Sequence, residues 1–165
     1  MKILGIDPGT AATGYGVIEN NRGKLRLLEY GCITTSKKQK PASRLAEIHH
    51  DLKLLLRKYK PQLVAVESIY FYKNAKTAIA VAQSRGVALL AAEQAKIPIL
   101  ELSPLRVKNS LTGYGKADKK QVQQMVKLLL NLKTVPKPDD AADALAVAIC
   151  ASSNKLWATP ASSIS

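Results

Sequence analysis

The chain has 165 residues, 47% of them hydrophobic, which is enough to bury a real core and favours one domain. Twenty-five Lys and Arg stand against twelve Asp and Glu, a net charge of +13, so a polyanion is the expected partner and nucleic acid the first of these. A ribosomal or chromatin-type binder would carry the same excess, so charge alone names no activity. Cys32 and Cys150 lie far apart in apolar surroundings and no CxxC occurs, which favours buried thiols over a bridge or a metal site. His49 and His50 are adjacent on a helical pattern and so point in different directions. Met1-Lys2 runs straight into a strand pattern without a signal-peptide layout, and charged or polar residues interrupt the Ala-rich stretch 75–95. The expected compartment is the cytosol.

In chain order, residues 2–7 and 14–19 read as strands around a Gly-rich turn, and 24–35 as a third strand ending in β-branched and aromatic residues. Short connections make these an antiparallel meander. Leu45, Ile48, Leu52, Leu55 and Tyr59 recur at helical spacing, and Pro61 ends that helix. Leu63–Glu67 is a short buried-type strand, 74–95 a small-residue helix, and Ile97–Leu102 a fifth strand. Residues 104–111 start a helix that Gly113-Tyr114-Gly115 breaks and 118–131 resumes. KTVPKPDD is a loop, 139–151 the last helix, and 152–165 a frayed tail. The order βββαβαβαα predicts an α/β fold: a mixed five-stranded sheet with helices on both faces.

Acids are scarce, so their positions carry information. Asp7 ends the first strand and Glu67 ends the fourth. Asp139, Asp140 and Asp143 open an otherwise apolar helix, where Asp140 and Asp143, three apart, share a face. Each has an ordinary reading: a turn residue at Asp7, a helix cap at Asp139 or Asp140, a lysine partner for Glu67. Asp143 resists best, inside the run AADALAVAI. Three segments that each end or open an apolar element with a carboxylate can converge at one edge of the sheet. Such a cluster cannot ionise in a dry site without a counter-charge. Carboxylates without His or Cys select hard ions, Mg²⁺ or Mn²⁺. Two such ions about 4 Å apart can activate water and stabilise the leaving oxygen of a phosphodiester.

The segments GIDPGTAATGYGVI, VAVESIYFYKNAKTAIAVAQSRGVALLAA, RVKNSLTGYGKADKKQVQQMV and PDDAADALAVAI together resemble the RuvC family of Holliday-junction resolvases, in order and over nearly the whole chain, Ile3 to Ile149. The resemblance implies a ribonuclease-H-like fold over 1–151, a homodimer, and a Mg²⁺-dependent endodeoxyribonuclease with two ions per subunit, for which Mn²⁺ can substitute. It maps the catalytic metal ligands to Asp7, Glu67, Asp140 and Asp143. It also implies four-way junction DNA as substrate, paired symmetric nicks leaving 5′-phosphate and 3′-hydroxyl ends, and the branch-migration proteins RuvA and RuvB as partners. The Ala-rich helix after Asn74 would lie near the two-fold axis.

For DNA contact the resemblance points to Tyr70 as a base-stacking wedge, and to Lys108 and Lys119 near the metals. Tyr70 departs mildly from the Phe pictured at that position, but its ring keeps a face for stacking. Lys116 and Lys120 surround the Gly113-Tyr114-Gly115 turn with Lys108 and Lys119, where a solvated face is the ordinary reading; Arg106, Lys73, Lys76 and Arg85 are weaker candidates, and Lys37-Lys38-Gln39-Lys40 reads as ordinary solvated surface. Three other readings compete. ILGIDPGT alone also fits the first phosphate loop of actin-like and sugar-kinase folds, which usually need two domains and no such charge. A non-catalytic binder of branched DNA would not need four acids. Hydrolysis of RNA in hybrids would share the metal centre but has no use for the aromatic wedge or a dimer helix.

Overall fold

The computed structural model describes residues 1–68 and 75–154; within that range nothing is described of the side chains of 75–77. Strands β1 (Lys2–Asp7), β2 (Ala12–Asn21) and β3 (Lys24–Thr34) form the expected antiparallel meander. β4 (Leu63–Glu67) and β5 (Ile99–Leu102) add to the other side of β1 in parallel, giving the order β3-β2-β1-β4-β5. Parallel pairs need long crossovers. Helix α1 (Pro41–Tyr59) carries the chain from β3 to β4, and α2 (Ala75–Gln94) leads from β4 to β5.

Alternation along the strands sorts the core. Leu4 and Ile6 of β1, with Val64 and Val66 of β4, face α1 and α2 and pack on Ile48, Leu52 and Ala88. Ile3 of β1, with Leu63 and Ala65 of β4, face the opposite way, toward α3 (Pro104–Thr112), α4 (Lys119–Leu129) and α5 (Asp139–Ser152). The sheet is therefore mixed, with helices on both faces, as expected.

Several element ends move by one or two residues from the sequence expectation, as at β2 and β5, and two features differ in kind. The helix expected to break and resume is two separate helices, so the order is βββαβαβααα. Gly113 closes α3 in the left-handed conformation (φ 71°), its N–H donating to the Asn109 carbonyl. Asp118 then opens α4 with a capping box: its carboxylate accepts from Gln121 N–H at 2.8 Å and its own N–H donates to Gln121 Oε1 at 2.9 Å. The expected tail also starts too early. Ser152 is a buried residue of α5, and its carbonyl accepts from Asn20 Nδ2 at 3.2 Å. Residues 155–165 lie outside the described part.

Helix α5 sets the architecture. From Ala141 to Ser152 all but Asp143 are buried, so it is a core helix rather than an amphipathic one. It lies on β1 and β2 at backbone contact distance because three glycines of those strands have no side chain. A Cβ on Gly5 would sit 2.2 Å from the Ala144 carbonyl oxygen, and one on Gly14 would sit 2.0 Å from that of Asp140. Gly16, paired with Gly5 across the ladder, makes room for Leu145. We predict that Gly5→Ala, which meets only unyielding backbone and Ala148, destabilises the fold by about 1–3 kcal/mol or more. Gly16→Ala meets the Leu145 side chain first and costs less. Urea unfolding midpoints rank the two; equal midpoints near wild type would contradict the close seam.

Candidate active site

Strand parity delivers the first two acids. Asp7 follows Ile3 and Gly5 on the α5 side of β1, and Glu67 follows Leu63 and Ala65 on the same side of β4. Ile6 pairs with Val66, so both carboxylates sit at adjacent strand ends. The Gly14–Asp140 approach brings the first turn of α5 onto the same spot, since Gly14 is the ladder partner of Asp7. Asp140 lies in that turn and Asp143 one turn further, where negative charge also suits the helix N-terminus.

Asp7, Asp140 and Asp143 each offer a carboxylate oxygen such that the three lie within 4.8 Å of one another. Glu67 is not among these three. It lines the adjoining cleft with Asp143, Lys108 and Lys119. Burial first, then the charges of Glu67, Asp143 and Asp140, push the Asp7 carboxyl up to about 8, with Lys119 acting in the opposite direction. Glu67 rises to about 7, through burial and the charge of Asp143, opposed by Lys108 and Lys119. Burial also raises Asp143, although Lys119 donates to it at 2.8 Å. The cluster is a set of carboxylates short of positive charge.

The other expected residues divide. Lys108 and Lys119 reach the cleft beside the acids. Asp139, the spare acid, turns away to Lys137 at 2.8 Å and Lys119 at 3.6 Å and is half exposed. Lys116 and Arg106 are exposed outside the cleft, and Lys120 lines a separate groove with Tyr114 and Met125. Arg85 is bonded to Glu101, tying α2 to β5, so its charge is already used. Tyr70 and Lys73 lie outside the described residues, as does the side chain of Lys76. The sequence reading passed over a second cleft, formed by the Gly9–Ala12 turn with Lys37, Arg44 and Asp140. In sequence Lys37 reads as ordinary surface, and Arg44 sits on α1, 37 positions from Asp7 in the chain, with no local signal linking the two.

The family model described as "Crossover junction endodeoxyribonuclease RuvC" matches residues 3–151. The chain belongs to the RuvC family. A RuvC from Thermosipho melanesiensis is 54% identical over 150 residues, covering 91% of this chain and 96% of the relative. One from Halothermothrix orenii is 51% identical, over 96% and 99%. Among solved structures, Thermus thermophilus RuvC in complex with a Holliday junction substrate superposes with a TM-score of 0.86 at 37% identity, covering 91% and 92% of the two chains. The yeast mitochondrial resolvase Ydc2, at 19% identity and a TM-score of 0.62, shares the fold. The sheet and its flanking helices are thus those of the ribonuclease-H-like RuvC architecture. The RuvC family is one of divalent-metal nucleases, and an all-oxygen donor set of three converging carboxylates fits a hard divalent cation.

Without metal, this RuvC-family site should leave a signature in stability. The folded chain keeps protons on Asp7 and Glu67 up to about pH 8 and 7, whereas the unfolded chain releases them near 3.8 and 4.5. Between those ranges the folded state binds more protons, so metal-free stability falls as pH rises. We predict that the urea midpoint in chelator drops between about pH 5 and about pH 8, and that Asp7→Asn flattens the slope and raises stability at the alkaline end. A midpoint that climbs across this window would contradict the acid cluster.

Proposed function

We propose that this chain resolves four-way DNA junctions by paired, symmetric nicks that leave 5′-phosphate and 3′-hydroxyl ends. The observation that carries the reading is the trio Asp7, Asp140 and Asp143, set beside a cleft holding Lys108 and Lys119. Asp7, Glu67, Asp140 and Asp143 would hold two Mg²⁺ per subunit, with Mn²⁺ able to replace them. When bound, such ions supply the Lewis acidity that activates a water and stabilises the leaving 3′-oxygen.

The chain's own groups do the rest. Asp7 ends β1 just before Pro8, half-buried among Glu67, Asp140 and Asp143, and would hold cations together with them. Lys119 now donates to Asp143; with cations on the carboxylates its ammonium is free to turn to a phosphate oxygen as a point charge. Lys108, on the other wall, holds the same backbone. Tyr70 is proposed as the ring that stacks on a base unstacked at the crossover, with Lys73, Lys76, Lys116, Lys120 and Arg106 as outer backbone contacts. The Thermus relative, solved with a Holliday junction, supports this substrate. No helix among the described residues is long and apolar enough to cross a membrane, and the reading puts the enzyme with its DNA in the cytoplasm, where RuvA and RuvB would be its partners.

Two symmetric nicks call for two symmetric sites. Ile79, Gln83, Gly86 and Leu90 recur at helical spacing on α2, and all four are exposed, Ile79 at 72% and Leu90 at 51%. A Cβ on Gly86 would meet nothing within 4 Å, so the backbone there is open to a partner. This stripe supports a homodimer seam along α2. Ile79→Glu should give a monomer by analytical ultracentrifugation and uncouple the two nicks; a variant that stays dimeric would move the seam elsewhere.

Incubation with a synthetic four-way junction and with linear duplex, with and without Mg²⁺, tests the activity. Asp7→Asn should abolish junction cleavage yet leave metal-free junction binding within about twofold, because the basic surface is untouched. Loss of binding would make Asp7 a structural residue instead, and equal cutting of linear duplex would remove the junction preference.

A further inference from the structure

In the Pro8–Ala11 turn between β1 and β2, the carbonyls of Gly9, Thr10 and Ala11 are all taken from within the protein. Gly9 accepts from the Thr13 hydroxyl at 2.5 Å and the Ser84 hydroxyl at 3.1 Å, Thr10 from the Thr35 hydroxyl at 2.6 Å, and Ala11 from the Thr35 N–H at 3.1 Å. Thr13, Ser84 and Thr35 are buried, so the turn is held rigidly from behind. Pro8 has no N–H to offer. The N–H groups of Gly9, Thr10 and Ala11 donate to no acceptor among the described residues. Across a trans peptide the N–H points away from the preceding carbonyl, so tying the Gly9 and Thr10 carbonyls inward turns the Thr10 and Ala11 N–H groups the other way, an electropositive face.

That face lines the second cleft together with Lys37 and Arg44. Arg44 is oriented by the same threonine that holds the turn: its Nε donates to Thr35 Oγ1 at 2.8 Å. The outer edge of the guanidinium is left over, and neither Arg44 nor Lys37 forms an ion pair among the described residues. Asp140 stands on the same wall and, among the described residues, is the one acid there, beside two cations. The Lys108–Lys119 cleft contains Glu67 and Asp143, and the two clefts share no residue. The acid trio therefore has a basic seat at each of two openings.

We propose that the Gly9–Ala11 amides, Lys37 and Arg44 form a binding site for a backbone phosphodiester of the cut strand, next to the one being hydrolysed. The strand would run from the Lys108–Lys119 cleft across the acids to this second seat, which fixes its register over the metal centre. This rests on the junction-resolving reading and adds to it a phosphate subsite.

Junctions carrying a single neutral methylphosphonate at successive positions around the cut test the site, with binding read by fluorescence anisotropy in chelator. Wild type should lose about tenfold in affinity at one or two positions beside the cut, the scale of one charge-assisted hydrogen bond. The Lys37→Ala/Arg44→Ala double variant should bind all-phosphate junction more weakly, lose the penalty at those positions only, and show a salt slope shallower by about one to two. Arg44→Lys should recover little of the position-specific penalty, since it keeps the charge but not the Thr35-fixed fork. Lys38→Ala, a neighbouring loss of the same charge, should leave the methylphosphonate map unchanged. A double variant whose map matches wild type overturns the subsite while wild-type cleavage of the junction keeps the resolvase reading intact. A wild-type protein that neither prefers nor cuts the junction takes down both.

Discussion

Everything at the site depends on how closely α5 lies against the β1–β2 hairpin. Helix and sheet meet there at backbone contact distance, through Gly5, Gly14 and Gly16 on one side and Ala144, Ala148 and the Asp140 carbonyl on the other. A methyl group at Gly14 would have to displace the first turn of α5, which carries Asp140. Since Gly14 is the ladder partner of Asp7, the contact that packs the core is also the one that brings the carboxylates of two distant segments together. Stability and site geometry share one seam, and a side chain at Gly5 or Gly14 meets backbone and cannot be absorbed by rotamer adjustment.

The seam brings the carboxylates together against their own repulsion. Burial and mutual charge raise Asp7, Glu67 and Asp143 above the usual carboxylate range, and Lys119 and Lys108 offset only part of it. A site in that condition takes up positive charge, as protons or as a divalent cation, and it stands on a chain whose net charge is +13. The two features have opposite local sign and complementary use. The basic surface gathers the phosphate backbone, while the acidic centre would repel it without cations. Strand parity, a turn with its Gly9, Thr10 and Ala11 carbonyls tied back, and the capped break between α3 and α4 then set which lysines face the centre.

Much of this was legible in sequence because it is local. Alternation gave the strands, the Leu and Ile stripe of α1 gave its buried face, and the position of Asp7 and Glu67 at the ends of apolar runs pointed to one edge. Asp143 stood out because an apolar helix has no ordinary use for an acid in that place. What could not be read depends on partners far away in the chain. Gly5, Gly14 and Gly16 look like turn and strand glycines until α5 is laid across them. Arg85 looks like a free cation until β5 brings Glu101 beside it. Lys37 looks like surface until Arg44 and the Gly9–Ala11 turn close a cleft around it. The split of α3 from α4 has local signals, in Gly113 and in the Asp118–Gln121 spacing, yet the apolar pattern on its two sides reads as one interrupted helix.

α5, seated on glycines, brings Asp140 and Asp143 to Asp7, three carboxylates that could share a cation. Anomalous diffraction from crystals soaked in Mn²⁺ tests it most directly. The account predicts Mn²⁺ between Asp7 and the two α5 aspartates, and the loss of that peak in Asp7→Asn crystals with α5 unmoved. Mn²⁺ bound elsewhere, with the trio left to lysine, would contradict it.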